Sequence, residues 1–167
     1  MWGLFKARKI TSHCRTWSQY CCDFKWSVYS FGSNSSGQLG HGTTEEESRP
    51  RQIRFLQGIR IIQAAAGAGR TMLISDAGRF YAFGKDSFGE AEYGAQGSKL
   101  VTTPQLVESL KEIFVVQAAI GNFFTAVLSR EGRVYTFSWG NESKLGHQTE
   151  QMMWSPILCW EYWRTYL

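Results

Sequence analysis

A short pattern that recurs at near-constant spacing limits what this chain can fold into more than any other feature. Val28-Tyr29-Ser30-Phe31-Gly32 returns as Phe80-Tyr81-Ala82-Phe83-Gly84, and again as Val134-Tyr135-Thr136-Phe137-Ser138, at offsets of 52 and 54 residues. Gly37-Gln38-Leu39-Gly40-His41 is answered by Ser143-Lys144-Leu145-Gly146-His147, whereas the second copy reads Gly89-Glu90-Ala91-Glu92-Tyr93. Between these motifs, Pro50 answers to Pro104, Ile53 to Val107, Leu56 to Leu110 and Ile59 to Ile113. Gln63-Ala64-Ala65 matches Gln117-Ala118-Ala119 in the same way, as do Gly67 and Gly121, Thr71 and Thr125, Ser75 and Ser129, and Gly78-Arg79 and Gly132-Arg133. Chance does not hold so many identities in register, and self-similarity at this period marks a repeat architecture.

Each unit reads as short strands. Thr71–Ser75 and Arg79–Phe83 flank Asp76-Ala77-Gly78, a hairpin with glycine where positive φ is needed. Thr125 to Phe137 repeats this around Arg130-Glu131-Gly132. Ile59–Ala66 and Ile113–Ala119 are apolar runs suited to inner, well-buried strands. The small residues Ala64 to Gly67 and Ala118 to Gly121 suit a crowded place near a central axis. Pro50 and Pro104 are expected at strand starts, where a missing N–H costs little. Gly32 to Arg49 is expected to be a long polar loop. Several short strands in a unit of this length predict a propeller blade. A helical solenoid fails because the apolar residues do not follow a 3.6 period.

The flanks are different. Residues 1–27 form an aperiodic basic leader, with Lys6, Arg8, Lys9, Arg15 and Lys25 against Asp23 alone. They account for the whole net charge of +4, so the rest of the chain is neutral and lacks the basic stripe of an autonomous nucleic-acid site. Residues 151–167 form an aperiodic aromatic tail. All seven tryptophans and all four cysteines lie outside 28–137. Cys14, Cys21, Cys22 and Cys159 match no zinc spacing and read as free thiols of a reducing compartment. An intracellular location, cytoplasmic or nuclear, is expected. A mitochondrial presequence is the alternative, although Cys21-Cys22-Asp23 and the scattered aromatics break its amphipathic face. No run is long and apolar enough for a membrane span.

No catalytic, cofactor or metal residues are expected. Gly32 to Leu39 lacks the lysine of a phosphate loop, and Ala66-Gly67-Ala68-Gly69 does not open a helix. His41 and His147 occupy equivalent repeat positions and read as structural, and His13-Cys14 lies in the aperiodic leader and is not expected to be a catalytic pair. Glu45-Glu46-Glu47 reads as a solvated run that could meet a basic partner.

Gly132-Arg133-Val134-Tyr135-Thr136-Phe137 and the run from Val28 to Gly42 resemble the regulator of chromosome condensation repeat family. The resemblance covers residues 28–150 and implies an all-β fold, an incomplete β-propeller of about two and a half blades with irregular flanks. It marks Gly32, Gly37, Leu39, Gly40, Gly67, Thr71, Gly78, Tyr81, Gly84, Gly121, Thr125, Gly132, Tyr135, Leu145 and Gly146 as the structural motif of the blades. The family's histidine before threonine is replaced by Arg70 and Phe124. The family usually closes seven blades, more than twice this chain. The chain is therefore expected to be a truncated product, splice variant or imperfect gene model of a longer propeller. The alternative is a short protein completed by self-association or a partner.

The resemblance implies a non-catalytic module that offers loops Gly32 to Arg49, Gly84 to Thr103 and Ser138 to Gln151 to protein partners. Guanine-nucleotide exchange on a small nuclear GTPase is the second implied reading, and it needs a complete ring. A UV-B photoreceptor needs tryptophans where this chain has Ala68 and Asn122.

Overall fold

The computed structural model describes residues 18–22, 27–85, 100–121, 124–138 and 157–158. Their strands form three antiparallel sheets. The first contains β1 (Ser18–Cys22), β2 (Val28–Gly32) and β3 (Glu47–Gln52), in that order. The second contains β4 (Ile61–Gly67), β5 (Arg70–Ser75), β6 (Phe80–Lys85) and β7 (Leu100–Leu106), again in chain order. The third contains β8 (Val115–Ile120), β9 (Phe124–Ser129), β10 (Val134–Ser138) and β11 (Ile157–Leu158). Each sheet is a meander, and the three are successive blades of a partial propeller.

The predicted hairpins form. Ser75 accepts the N–H of Gly78 at 3.0 Å, and Ser129 accepts that of Gly132 at 3.0 Å. The expected inner strands are β4 and β8, which lie side by side across the blade boundary. Each blade passes to the next through a short 3-10 turn, Arg54–Leu56 or Glu108–Leu110, whose leucine is buried.

The prolines stand elsewhere than expected. Pro50 lies inside β3 and Pro104 inside β7, not at their starts. Both are on the last strand of their chain-order meander. Both also fall where the register shifts, between Ser30 and Gly32 on one pair and between Ala82 and Gly84 on the other. A bulged edge strand has N–H groups that need no ladder partner, so proline is tolerated there.

Two strands come from segments without a visible repeat. Tyr20 pairs with Ser30 and Cys22 with Val28, matching Met72 with Ala82 and Ile74 with Phe80. In the third blade, Leu158 pairs with Tyr135 and Ile157 with Thr136.

The core lies between blades. Val28, Ile53, Leu56, Ile61, Ala64, Leu73, Tyr81 and Phe83 form the cluster between the first and second. Met72, Ile74, Phe80, Val107, Leu110, Val115, Ala118 and Val127 form the cluster between the second and third. Ile53, Leu56, Ile61, Ala64 and Leu73 reappear in the second cluster as Val107, Leu110, Val115, Ala118 and Val127, so the two interfaces are one design used twice. All six residues of β5 are buried, because blades cover both faces of the second sheet. Burial alternates along β9, the pattern of a sheet covered on one face.

Candidate functional site

The loop between β2 and β3 is built by its own side chains. Asn34 Oδ1 accepts the Leu39 N–H at 2.9 Å, and Asn34 Nδ2 donates to the carbonyls of Thr43 and Glu45 at 3.0 and 2.8 Å. Gln38 Oε1 accepts the Ser36 N–H at 2.8 Å. These bonds satisfy backbone groups that an irregular segment cannot satisfy by a ladder. They also let Asn34, Gly37, Gln38, Leu39 and Gly40 be buried despite their polar surroundings.

Ser30 and His41 lock the return of the loop. The Ser30 hydroxyl donates to the Leu39 carbonyl at 2.7 Å, and its oxygen lies 3.0 Å from His41 Nε2. A hydroxyl has one proton to give, so His41 Nε2 carries the hydrogen in this contact. Burial holds the His41 pKa below its ordinary value, and the positive charge of Arg51 adds to that. A hydrogen bond with the Ser30 backbone and the Glu47 carboxylate oppose it.

The loop then latches onto the second blade. Thr71 Oγ1 donates to the Gln38 carbonyl at 2.8 Å in a fully buried bond. The Gly42 N–H donates to Thr102 at 2.8 Å. Gly40 has φ +75°, and a Cβ there would stand 2.8 Å from the Phe83 ring, so only glycine gives this approach. The long polar loop therefore splits in two. Residues 34–40 bind blade to blade, and Thr43, Thr44, Glu45 and Glu46 remain exposed.

The other motif residues scatter through the blades. Gly32 ends β2 and Gly84 stands one residue before the end of β6, both at φ +107°. Gly37 and Gly40 lie in the latch, with Leu39 fully buried between them. Gly67 ends β4 against Ile120 of the third blade, and the Gly121 N–H donates to Phe124 at 2.8 Å. Gly78 and Gly132 sit in the hairpin turns, and Tyr81 and Tyr135 pack at equivalent places in the two cores. Thr125 is as buried as Thr71, but its hydroxyl has no hydrogen-bond partner among the described residues. Leu145, Gly146, His147, His13 and the loop parts 86–99 and 139–156 lie outside the described residues. So do Cys14, Cys159 and Asn122.

Two features carry more of the structure than their place in the sequence suggested. Gln63 Nε2 donates to the Ala118 carbonyl at 2.7 Å and Gln63 Oε1 accepts the Ala118 N–H at 3.2 Å, tying inner strand to inner strand. The repeated Gln-Ala-Ala was the available signal. Arg70 is 4% exposed and donates to the Gly121 carbonyl at 3.1 Å, a second tie between blades.

Among the described residues no three His, Cys, Asp or Glu side chains are grouped to hold a metal ion. No described helix is long and apolar enough to cross a membrane. A depression of ≈ 380 Å³, open to solvent, lies over β5, β6 and β7 beside Arg70, Met72, Ala82, Gln105 and Val107.

Comparison with known proteins agrees with this architecture. The chain is 33% identical over 133 residues to the human E3 ubiquitin-protein ligase HERC2, covering 78% of this chain and 3% of the ligase. It is 36% identical over 120 residues to the ultraviolet-B receptor UVR8 of Arabidopsis thaliana, covering 72% of this chain and 27% of the receptor. Prp20p of Saccharomyces cerevisiae superposes with a TM-score of 0.67 at 26% identity, over 86% of this chain and 36% of Prp20p. The chain thus spans a minor part of each of these relatives. The model of the regulator of chromosome condensation (RCC1) repeat matches residues 27–74 and 77–128, and the chain belongs to that family.

Proposed function

We propose that the chain is a non-catalytic protein-interaction module, acting through the loop end of its blades. One observation carries the reading. Gly37 to Gly40 and Thr71 of the repeat motif are consumed in joining blades, which leaves the exposed Thr43–Glu46 tip of this loop to meet a partner. That tip is acidic, and Glu47 beside it is already paired with Arg51. It suits a basic protein surface. The Prp20p structure is described together with binding to Gsp1p and histones, which supports a protein partner of this kind. The unit is proposed to be 28–150 with the strand Ser18–Cys22 added, acting inside the cell in the cytoplasm or nucleus.

The test is binding of the whole chain to core histones at low and moderate salt, compared with a Glu45→Lys, Glu46→Lys variant. Binding that falls several-fold on charge reversal supports the reading. Absence of binding, or binding indifferent to the change, overturns the proposed acidic contact.

Nucleotide exchange on a small nuclear GTPase is the second reading, favoured by the likeness to Prp20p. Nucleotide release no faster than the intrinsic rate in the presence of this chain would remove it. UV-B sensing is not proposed, because the turn between β4 and β5 carries Ala68 and no tryptophan.

A further inference from the structure

The two joints between blades share one backbone and carry two different surfaces. Ile53 and Val107 enter the 3-10 turns at φ −79°, ψ 96° and at φ −82°, ψ 101°. The Leu56 N–H donates to the Ile53 carbonyl at 3.1 Å, and the Leu110 N–H to the Val107 carbonyl at 3.1 Å. Arg51 pairs with Ser30 as Gln105 pairs with Ala82. Ile53 and Val107 are buried alike, as are Leu56 and Leu110, and both outer strands carry proline at the bulge.

The outward positions differ. Arg49, Arg51, Arg54 and Phe55 stand where the second blade has Thr103, Gln105, Glu108 and Ser109. All four are exposed, Phe55 by 58%. Three positive charges and an aromatic ring thus take the place of one negative charge and no ring, on a backbone that forms the same joint without them. Arg51 is paired with Glu47. Arg49 and Arg54 have no ion pair among the described residues. Gln57 stands where Lys111 of the second joint meets Glu108 at 3.5 Å, so Arg54 has no counterpart of that bridge. Phe55 lies at the seam with the second blade, since a Cβ on Gly42 would stand 4.0 Å from its ring. Full burial of such a ring is worth about 1.5–3 kcal/mol, much of which this fold leaves unused.

We propose that this outer ridge of the first blade docks an acidic segment of a partner protein, with carboxylates on Arg49, Arg51 and Arg54 and an apolar side chain on Phe55. Charge complementarity selects the occupant. The guanidinium fork matches a carboxylate through two parallel bonds, and arginine with aromatic residues anchors protein interfaces. Nucleic acid is the poorer match, because residues 28–167 carry no net charge and a phosphate backbone draws on a broad basic stripe. The ridge goes beyond the proposed histone contact. It takes the opposite charge, and β3 sets Arg54 off from the Thr43–Glu46 tip by about 20 Å of strand, against a screening length of about 8 Å.

Fluorescence polarisation with the whole chain tests this. The probes are a labelled peptide of aspartates and glutamates around one leucine, the same peptide with serine for leucine, and an oligothymidylate of equal charge. The substitutions give the first joint residues that the second joint already carries: Arg49→Thr with Arg54→Glu, and Phe55→Ser. The leucine peptide is expected to bind, and to bind less as salt rises. Arg49→Thr with Arg54→Glu is expected to weaken it at least about tenfold. Phe55→Ser is expected to weaken it several-fold and to leave the serine peptide unaffected. Thermal unfolding is expected to match the wild type in both. Glu45→Lys with Glu46→Lys is expected to keep the leucine peptide while histone binding falls, so the two readings fail separately. No binding of the leucine peptide, or binding that neither substitution weakens, overturns the proposal. Oligothymidylate bound as tightly as the leucine peptide overturns the choice of a protein partner.

Discussion

Gln63 on the inner strand of the second blade holds both backbone groups of Ala118 on the inner strand of the third, at 2.7 and 3.2 Å. The pair spans 55 residues of sequence and joins two sheets that share no ladder. Gln63→Ala removes both bonds at once and leaves the Ala118 groups to find water. The expected cost is about 1–3 kcal/mol, read as a lower urea midpoint. An unchanged midpoint would show that water replaces the amide without loss.

Thr71 and Thr125 occupy one repeat position with unequal bonds. Thr71→Val leaves the buried Gln38 carbonyl without its donor and is expected to cost about 1–3 kcal/mol. Thr125→Val removes a buried hydroxyl that has no partner among the described residues, so it is expected to be neutral or slightly stabilising. Denaturant unfolding of the two variants side by side checks the difference. Equal losses would contradict it.

His41 gives the fold a pH dependence. Its folded pKa is held below the ordinary histidine value, mainly by burial. The unfolded chain therefore binds the proton more readily, and stability rises with pH in the window between the two values. The contribution is complete above about 6.5 and is lost as pH falls through the folded pKa. Thermal melts from pH 7.5 to 5 should show the wild type losing more stability than His41→Asn. Parallel curves would remove His41 as the cause.

Ala68 marks a site that can be improved. It lies at φ +51° beside Gly69 at φ +77°, in a two-residue turn between the paired Gly67 and Arg70. Two positive φ angles define the turn type that favours Asn-Gly. Ala68→Asn is expected to raise stability by about 0.5–1 kcal/mol. A lower melting temperature would mean that the alanine methyl packs against something the change disturbs.

The blade hairpins were legible because glycine at positive φ and alternating apolar residues are local properties. The inner strands were legible for the same reason, as Ala64 and Ala118 announce a crowded axis. The latch was not legible. Asn34 and Gln38 are polar residues of a polar loop, and only their bonds to the loop's own backbone make them interior. Pro50 and Pro104 were misplaced because a bulge inside an edge strand leaves no mark in sequence besides the proline itself. Ser18–Cys22 was hidden because ladder pairing asks only for extended backbone, and Ser-Gln-Tyr-Cys-Cys shares no side-chain pattern with Arg-Thr-Met-Leu-Ile.

The fully buried β5 bears on how damage spreads through the molecule. Each blade meets its neighbour and little else, so stability adds along the stack as in a one-dimensional chain of coupled units. Among the described residues, a substitution confined to the first or third blade loosens one coupling. The same loss in β5 severs both couplings and divides the stack into two pieces too small to hold a core. How severe a substitution is then depends on which blade it strikes, before the residue itself is considered.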